Sequence, residues 1–533
     1  MAFLTLPKNT NILKISDIFQ ICHPPLLLRV TAVLVLLFVI ACYFLRRLKR
    51  VNYPVVGSRK DADFRHAIKE GVAKFPDSPF IIPSNPQILI VPKSTISELN
   101  YLSDKEISNT EFVRRQLYPK FTGLGEWGFT TLVTVVKNDI SRQLNSSLDI
   151  IQEETAYSFN YRLGPCNDWT TIQLYQTLAK IVAMVSGRLF VGRPLCRNEE
   201  WINASINYTF QVTNVKDALS KWPRWKANIL GSYCKEVRSI EKFKKQYAKL
   251  VQPIVDSHLA KEGNEKIYDD EGNEQGNILA CILARMSPEE HKIPGFLVNQ
   301  LLSLSFASIH TTTITVTNLI YDLASHREYI PLLLDEIKEV MAEDGYETTD
   351  DGTLRLHKTS LPKLSKLDSF LKESQRVNPL SLVSHVRTTT SNLMLSSGHL
   401  IPKGINFCIP SWEIHNESTA LYSDGHTKPL DEFDGLRYYN LRRLPGNANR
   451  HFFVTTSPQS LAFGHGKHSC PGRFFANNEI KMIIIELLRN WEFRFPDDVK
   501  LEGGEWRRPK NKFYGTESLP DVNADLEFRR RKI

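Results

Sequence analysis

The chain has 533 residues, 42% of them hydrophobic, 10% aromatic and 23% charged, a composition that supports a large buried core and excludes a disordered, collagen-like or disulfide-scaffold protein. Lys and Arg number 67 against 58 Asp and Glu, a net charge of +9, which admits nucleic acid or an anionic membrane as partner until the charges are placed along the chain. The eight cysteines include no CxxC pair, the wrong spacing for zinc or for a disulfide framework and one that a reducing compartment permits.

Residues 26–45 read LLLRVTAVLVLLFVIACYFL, about 20 residues, long enough at about 1.5 Å each to cross a ~30 Å hydrocarbon layer. Arg46, Arg47, Lys49 and Arg50 follow, while residues 1–25 hold two lysines, so the positive-inside rule predicts a lumenal N-terminus, one spanning helix and a cytosolic remainder. A basic and proline-containing linker covers 46–59, and one catalytic domain is expected over 60–533. Four N-x-S/T triplets, at Asn145, Asn203, Asn207 and Asn416, would then all be cytosolic and are chance matches.

Apolar residues at three- and four-residue steps predict helices over 141–158, 173–188, 227–259, 294–324, 329–343, 363–376 and 471–488. The acidic stretch 263–277 reads as a loop, and short strands are expected at 87–91, 392–395 and 406–409. The body is therefore mainly α with small sheets. Between Lys221 and Lys226 two indoles, Trp222 and Trp225, alternate with cations, a mixture that suits a membrane interface, a buried tryptophan pair or single-stranded nucleic acid.

In the helix over 294–324, the run Phe306-Ala-Ser-Ile-His310-Thr311-Thr312 puts small and hydroxylic residues inside an apolar sequence. Hydroxyls there bond the i−4 carbonyl and leave a groove that leucine would fill. Glu373 and Arg376 stand three apart in the next motif, placed to pair either in the core or on an exposed face. Near the C-terminus, Phe463-Gly-His-Gly466-Lys-His-Ser-Cys470-Pro-Gly472-Arg473 puts a cysteine before a helix-opening proline. The helix dipole, free N–H groups and Lys467, His468 and Arg473 are expected to favour the thiolate.

Phe463, Gly466, Cys470 and Gly472 match the haem signature of the cytochrome P450 family, which this sequence resembles over nearly all of its length beyond the apolar segment. The resemblance implies the P450 fold, a helical haem-binding domain with a small β-rich lobe, and haem b with Cys470 as thiolate ligand of the iron. It makes Glu373 and Arg376 the ExxR pair and Arg437, in Phe433-Asp-Gly-Leu-Arg-Tyr, the third member of a buried cluster, although Gly435 stands where many members have proline. Ala307, Ser308, His310 and Thr311 match the oxygen-binding stretch, with serine in place of glycine and histidine in place of the acid. Thr311, His310 and Thr312 are the expected proton relay, His310 serving either as shuttle or as a packed core residue. Arg387 matches a propionate-binding cation, and Lys137 or Arg142 stands in for a missing earlier pair. The sequence texture resembles fungal microsomal monooxygenases. That implies a lipophilic substrate of the terpenoid, indole diterpene or steroid kind, with electrons from NADPH through cytochrome P450 reductase and with cytochrome b5 as a further donor. It also implies residence in the endoplasmic reticulum membrane and no nucleic acid partner. A reductase-independent isomerase or dehydratase acting on a preoxidised lipid is the alternative.

Overall fold

The computed structural model describes residues 30–37, 52–125, 129–140, 142, 147–259, 277–348, 354–417, 428–496, 501 and 506–532. Two compact units result, 1–53 and 54–533. Of the first, 30–37 is helical and exposed, and the rest of the predicted span 26–45 lies outside the described residues. Among the described residues no helix is long and apolar enough to cross a membrane.

The second unit is mainly helical. Its frame consists of α1 (Leu148–Leu163), α2 (Leu174–Phe190), α3 (Glu199–Ser220), α4 (Lys235–Leu259), α5 (Phe296–Ser325), α6 (Tyr329–Asp344), α7 (Ser365–Val377), α8 (Arg437–Arg442) and α9 (Arg473–Asn490). One extensive cluster of buried apolar residues runs through α1 to α7 and α9. Within it α2 is buried on nearly every side between α1, α3 and α5. Apart from Lys180, which reaches out to Glu199, its stretch Leu-Ala-Lys-Ile-Val-Ala-Met-Val is apolar on every side, as a central helix requires.

A five-stranded sheet has the order β1 (Phe80–Ile82), β2 (Ile88–Ile90), β6 (Asn406–Ile409), β5 (Ser384–Thr389) and β3 (Ile107–Ser108). All its pairs are antiparallel except β2 with β6, where Phe407 faces Leu89. A second sheet joins β7 (Trp491–Arg494), β8 (Asp525–Arg530) and β4 (Thr170–Gln173). It ties the end of α9 to the start of α2.

Three helical expectations shift. The predicted helix over 227–259 is two helices, Arg224–Leu230 and α4, split by a 3-10 turn at Gly231–Tyr233. There a Cβ on Gly231 would lie 2.5 Å from the Phe121 ring. The helix expected from Ser141 starts at Leu148 and is preceded by a π-turn, Val135–Ile140. Pro471 opens a turn rather than the helix itself, since α9 starts at Arg473 with Gly472 as its N-cap. The 22-residue α3 was not predicted, because Asn, Ser, Thr and Tyr interrupt its apolar stripe. Its readable signal was the cap, where Asn198 precedes two glutamates and accepts the Trp201 N–H at 3.0 Å. The loop 263–277 falls almost wholly outside the described residues.

Candidate active site

The Cys470 segment is shaped by its own backbone. The Cys470 N–H donates to the Phe463 carbonyl at 2.7 Å, closing a loop around Gly464 and Gly466. Gly466 has φ +75°, and a Cβ there would lie 2.6 Å from Asn100 Oδ1, so both conformation and space require glycine. The Phe463 ring meets Phe453 edge-on at 5.3 Å. Arg473 donates to the Cys470 carbonyl at 2.9 Å. The expected thiolate environment is only partly present. Burial pushes the Cys470 thiol up, while the Gly472 and Arg473 N–H groups and the Arg473 charge pull it down less. Lys467 and His468 do not take part: both face Asp104, at 3.3 and 3.0 Å. The Cys470 side chain is half-buried, and a metal bound there would be held by its thiolate.

Glu373, Arg376 and Arg437 are brought together in the core. Arg376 grips Glu373 in a two-point contact, 2.8 Å to each carboxylate oxygen, and Arg437 Nε lies 3.1 and 3.2 Å from the same two oxygens. The remaining guanidinium donors go to carbonyls of Lys428, Pro429, Leu430 and Glu432 and to Asn416 Oδ1. The triplet asparagine 416 is therefore a structural acceptor. Gly435 donates its N–H to the Tyr329 hydroxyl at 3.1 Å, a bond that proline could not make. A second buried cluster on α7 escaped sequence reasoning: Asp368 pairs with Arg442 at 2.8 Å and Lys481 at 2.9 Å.

Along α5 the hydroxyls do what their positions predict. Ser308 bonds the Leu304 carbonyl at 2.9 Å, and Thr311 bonds the Ala307 carbonyl at 2.7 Å. In this otherwise buried helix only Ala307 and Thr311 are exposed, with Val298, Phe306, Ser308 and Thr315 half-buried. Residues 307, 308, 311 and 315 share one face, an open stripe of small and hydroxylic side chains. Thr312 points the other way, into the core.

His310 is enclosed. Its Nε2 lies 2.9 Å from the Ile206 carbonyl on α3, so that nitrogen carries the hydrogen, and the Tyr175 hydroxyl on α2 donates to Nδ1 at 3.1 Å. Phe210 meets the ring edge-on at 5.4 Å. Burial lowers its pKa, against a smaller opposing effect of the Ile206 carbonyl. Behind Thr312 lies Glu479, a residue the sequence reading did not single out. It is fully buried on α9 and accepts the Ser186 hydroxyl at 2.6 Å. Burial raises its pKa to about 8, with Ser186 and Thr312 pulling the other way. Its only sequence signal was a charge in an apolar helix, nine residues after Cys470.

Arg387 stands on β5, buried, its guanidinium lowered to about 10 by burial and partly restored by Asp104. It lines a small pocket with His385, Lys467, His468, Asn100 and Phe407. No carboxylate lines that pocket, and the buried Nε2 of His385 has no hydrogen-bond partner among the described residues. His385 also has φ 52°, an uncommon conformation outside glycine. Such a donor-rich pocket fits carboxylates like haem propionates. Together with a half-buried cysteine sulfur and an open helix face, it is a donor set that suits haem. Lys137 sits exposed on the π-turn and does not line this pocket. Its neighbour Val136 would lie 3.7 Å from a Cβ on Gly472, so the turn adjoins the cysteine loop while the lysine faces outward. Arg142 is also exposed.

The family profile described as Cytochrome P450 matches residues 126–506. The cytochrome P450 monooxygenase ascG of Acremonium egyptiacum is 39% identical over 93% of this chain and 95% of its own. The cytochrome P450 monooxygenase BOA7 of Botryotinia fuckeliana is 36% identical over 92% and 91%, and the cytochrome P450 monooxygenase AN1598 of Emericella nidulans is 34% identical over 90% and 85%. With the signature loop, the buried Glu-Arg-Arg cluster and this breadth of similarity, the chain belongs to the cytochrome P450 family. Membership implies a haem iron cofactor.

Proposed function

We propose that this enzyme is an oxidoreductase, a haem-thiolate monooxygenase that inserts one atom of O2 into a lipophilic substrate. The observation that supports this most is the Cys470 signature loop, which leads into α9, the helix whose Glu479 meets Thr312 on the core side of α5 behind the open stripe. Haem iron held by Cys470 supplies oxygen activation and transfer. The chain supplies the rest. Arg387, His385 and His468 would hold the propionates, and Phe463 packs beside the ring. The stripe at Ala307 and Thr311 orients substrate, and the Thr311 hydroxyl, already bonded to Ala307, offers its lone pair to a relay water. His310 is assigned to positioning, since both its ring nitrogens are engaged, and proton delivery is assigned to Thr311, Thr312 and water.

Electrons would come from NADPH through cytochrome P450 reductase, with cytochrome b5 as a further donor. The sequence texture around the motifs supports a terpenoid, indole diterpene or steroid substrate. The apolar segment 26–45, followed by four cations, supports a single-pass anchor in the endoplasmic reticulum membrane with the enzyme body in the cytosol. The Ser308 and His310 departures keep a reductase-independent isomerase or dehydratase as a second reading.

The deciding experiment combines two measurements on membranes holding the protein. A reduced-CO difference spectrum should show the thiolate band and lose it in Cys470→Ala and Cys470→Ser, and an unchanged band in either variant would overturn the ligand assignment. Incubation with reductase and a panel of terpenoids and steroids should give NADPH-dependent products carrying one added oxygen, whereas turnover without NADPH would favour the second reading.

A further inference from the structure

A cavity of about 250 Å³ lies between the helix Arg65–Lys74, the start of β1, the end of β2 and the short helix Ser411–Glu417. Helical spacing sorts that last helix into two faces. On one, Asn416 Oδ1 accepts from Arg376 at 2.7 Å and His415 Nε2 accepts the Leu461 N–H at 2.8 Å, and these bonds fix the rotation of the helix. Glu413, Ile414 and Glu417 therefore take the other face and line the cavity. The walls around them are mostly apolar, with Val72, Phe75, Phe80 and Pro92 among them. The Phe75 and Phe80 rings lie 6.3 Å apart, tilted by 33°. Phe80 packs this closely on its helix only because residue 71 is glycine, where a Cβ would meet the ring at 2.2 Å.

In this apolar setting Glu413 is 8% exposed, yet its carboxyl has no hydrogen bond and no ion pair among the described residues. Glu417 differs, since it holds Lys93 at 2.9 Å. Burial and the neighbouring Glu417 charge raise the Glu413 pKa, while Lys69 opposes them. A buried carboxyl without a partner is costly, and leucine would fill the same space at no such cost. What surrounds it is the complement of an organic cation: an acid to face the charge, two aromatic rings to attract it and apolar walls for its substituents. A calcium ion asks for about six or more oxygen ligands, which one free carboxyl among phenylalanines does not offer. A neutral apolar molecule would leave the carboxyl as unpartnered as before.

We propose that this cavity binds a small organic ammonium ion, its charge set against Glu413 and its alkyl groups against Phe75 and Phe80. At about 250 Å³ the cavity is smaller than the ~300–1,000 Å³ of drug-sized sites, which restricts the ligand to compact cations.

The test uses full-length holoprotein in neutral detergent and two probes of one shape, choline and its uncharged isostere 3,3-dimethylbutan-1-ol. Each shows one sharp methyl signal, so saturation-transfer NMR reads both titrations, and the quaternary nitrogen of choline cannot ligate haem iron. Soret spectra recorded alongside score occupation of the haem side. Choline should bind without moving the Soret band, on the order of ten-fold more tightly than the isostere. Glu413→Gln should remove that advantage, and Phe75→Leu should weaken choline about three-fold. Glycerophosphocholine, which adds the phosphate of a lipid headgroup, should bind less tightly than choline because Glu413 and Glu417 repel it. Without ligand, Glu413→Gln should unfold at the same urea concentration as the parent or a higher one, and the reduced-CO band verifies the folding of each variant. Equal binding of choline and isostere, unchanged choline binding in Glu413→Gln, a Soret shift on choline binding, or glycerophosphocholine binding as tightly as choline would each overturn the proposal. So would a lower urea midpoint for Glu413→Gln, which would show that the carboxyl already has a partner within the fold.

Discussion

At the scale of single residues, His310 and Thr311 are neighbours in sequence with opposite surroundings. Thr311 faces the open stripe; His310 is wedged between the Tyr175 hydroxyl and the Ile206 carbonyl. Thr311→Ala should therefore leave substrate binding within about two-fold and uncouple NADPH use from product, because general acid–base groups contribute about 10²–10⁴-fold. His310→Phe should instead weaken folding, since it strands a buried hydroxyl and a carbonyl at about 1–3 kcal/mol each, and its residual folded fraction should stay coupled. Peroxide released per NADPH consumed distinguishes the two, and equal uncoupling in both variants would return His310 to the relay. None of this was legible from the letters. A histidine in place of an acid reads as shuttle or as packing until the residues around it are known, and Tyr175 and Ile206 lie 135 and 104 positions away.

Elements carry the next level. The helix α7 has Glu373 and Arg376 paired on one side and Asp368 on another, all buried, and each carboxylate also meets cations from distant segments, Arg437 for Glu373 and Arg442 with Lys481 for Asp368. Arg376→Ala leaves Glu373 a single cation, Arg437, and should lower stability by about 3–5 kcal/mol, read as a steep fall in holoprotein yield. Arg376→Lys should recover only part of it, because an ammonium cannot reproduce the two-point grip. A normal yield for Arg376→Ala would remove the cluster from the stability argument. For Asp368, burial works against ionisation, but Lys481 and Arg442 outweigh it and hold its pKa below the ordinary value. Its stabilisation is thus present above about pH 4 and lost as pH falls through the lower folded pKa. The element types were well written in the sequence: α2, α5, α6 and α7 lie within two residues of the ranges their apolar periods predict. The short strands β1, β3, β4, β5, β7 and β8 were not, because two to six residues offer too little alternation to separate a strand from a loop.

For the whole molecule, pH acts through histidines buried neutral. His415 accepts the Leu461 N–H at Nε2 at 2.8 Å, and burial, with Lys372 and Arg376 nearby, pushes its pKa to about 3. The unfolded chain protonates it near pH ~6.5, so the unfolded state binds the extra proton first. Stability from this group is complete above pH ~6.5 and declines by about 1.4 kcal/mol per pH unit below it. His385 and His451, both lowered to about 4 by burial, add to the slope, so in urea unfolding at pH 7, 6, 5 and 4 His415→Gln, which keeps an acceptor for Leu461, should flatten the total by one proton. An identical slope in the variant would place the acid sensitivity elsewhere. Deleting residues 1–50 should reduce membrane sedimentation while leaving the reduced-CO band intact, since every motif assigned to the haem lies beyond them. Loss of the band would show that the segment also supports the body. The family was legible from four residues around Cys470 and the resemblance singled out Arg387, yet the pocket of His385 and His468 beside it was not legible, because they are 83 positions apart and only β5 and the cysteine loop bring them together.

The packing of α5 also sets how far the enzyme can be altered by laboratory evolution. Every position of that 30-residue helix outside 298, 306, 307, 308, 311 and 315 is sealed by neighbouring side chains, where changes in volume cost stability. A library aimed at new substrate range has its freedom on this helix at residues 307, 308 and 315, with Thr311 left unchanged for its proposed part in proton delivery. Ala307→Gly or Ser308→Ala enlarges the groove without opening the core. Selection should accordingly recover altered products from those sites and unfolded protein from the positions between them.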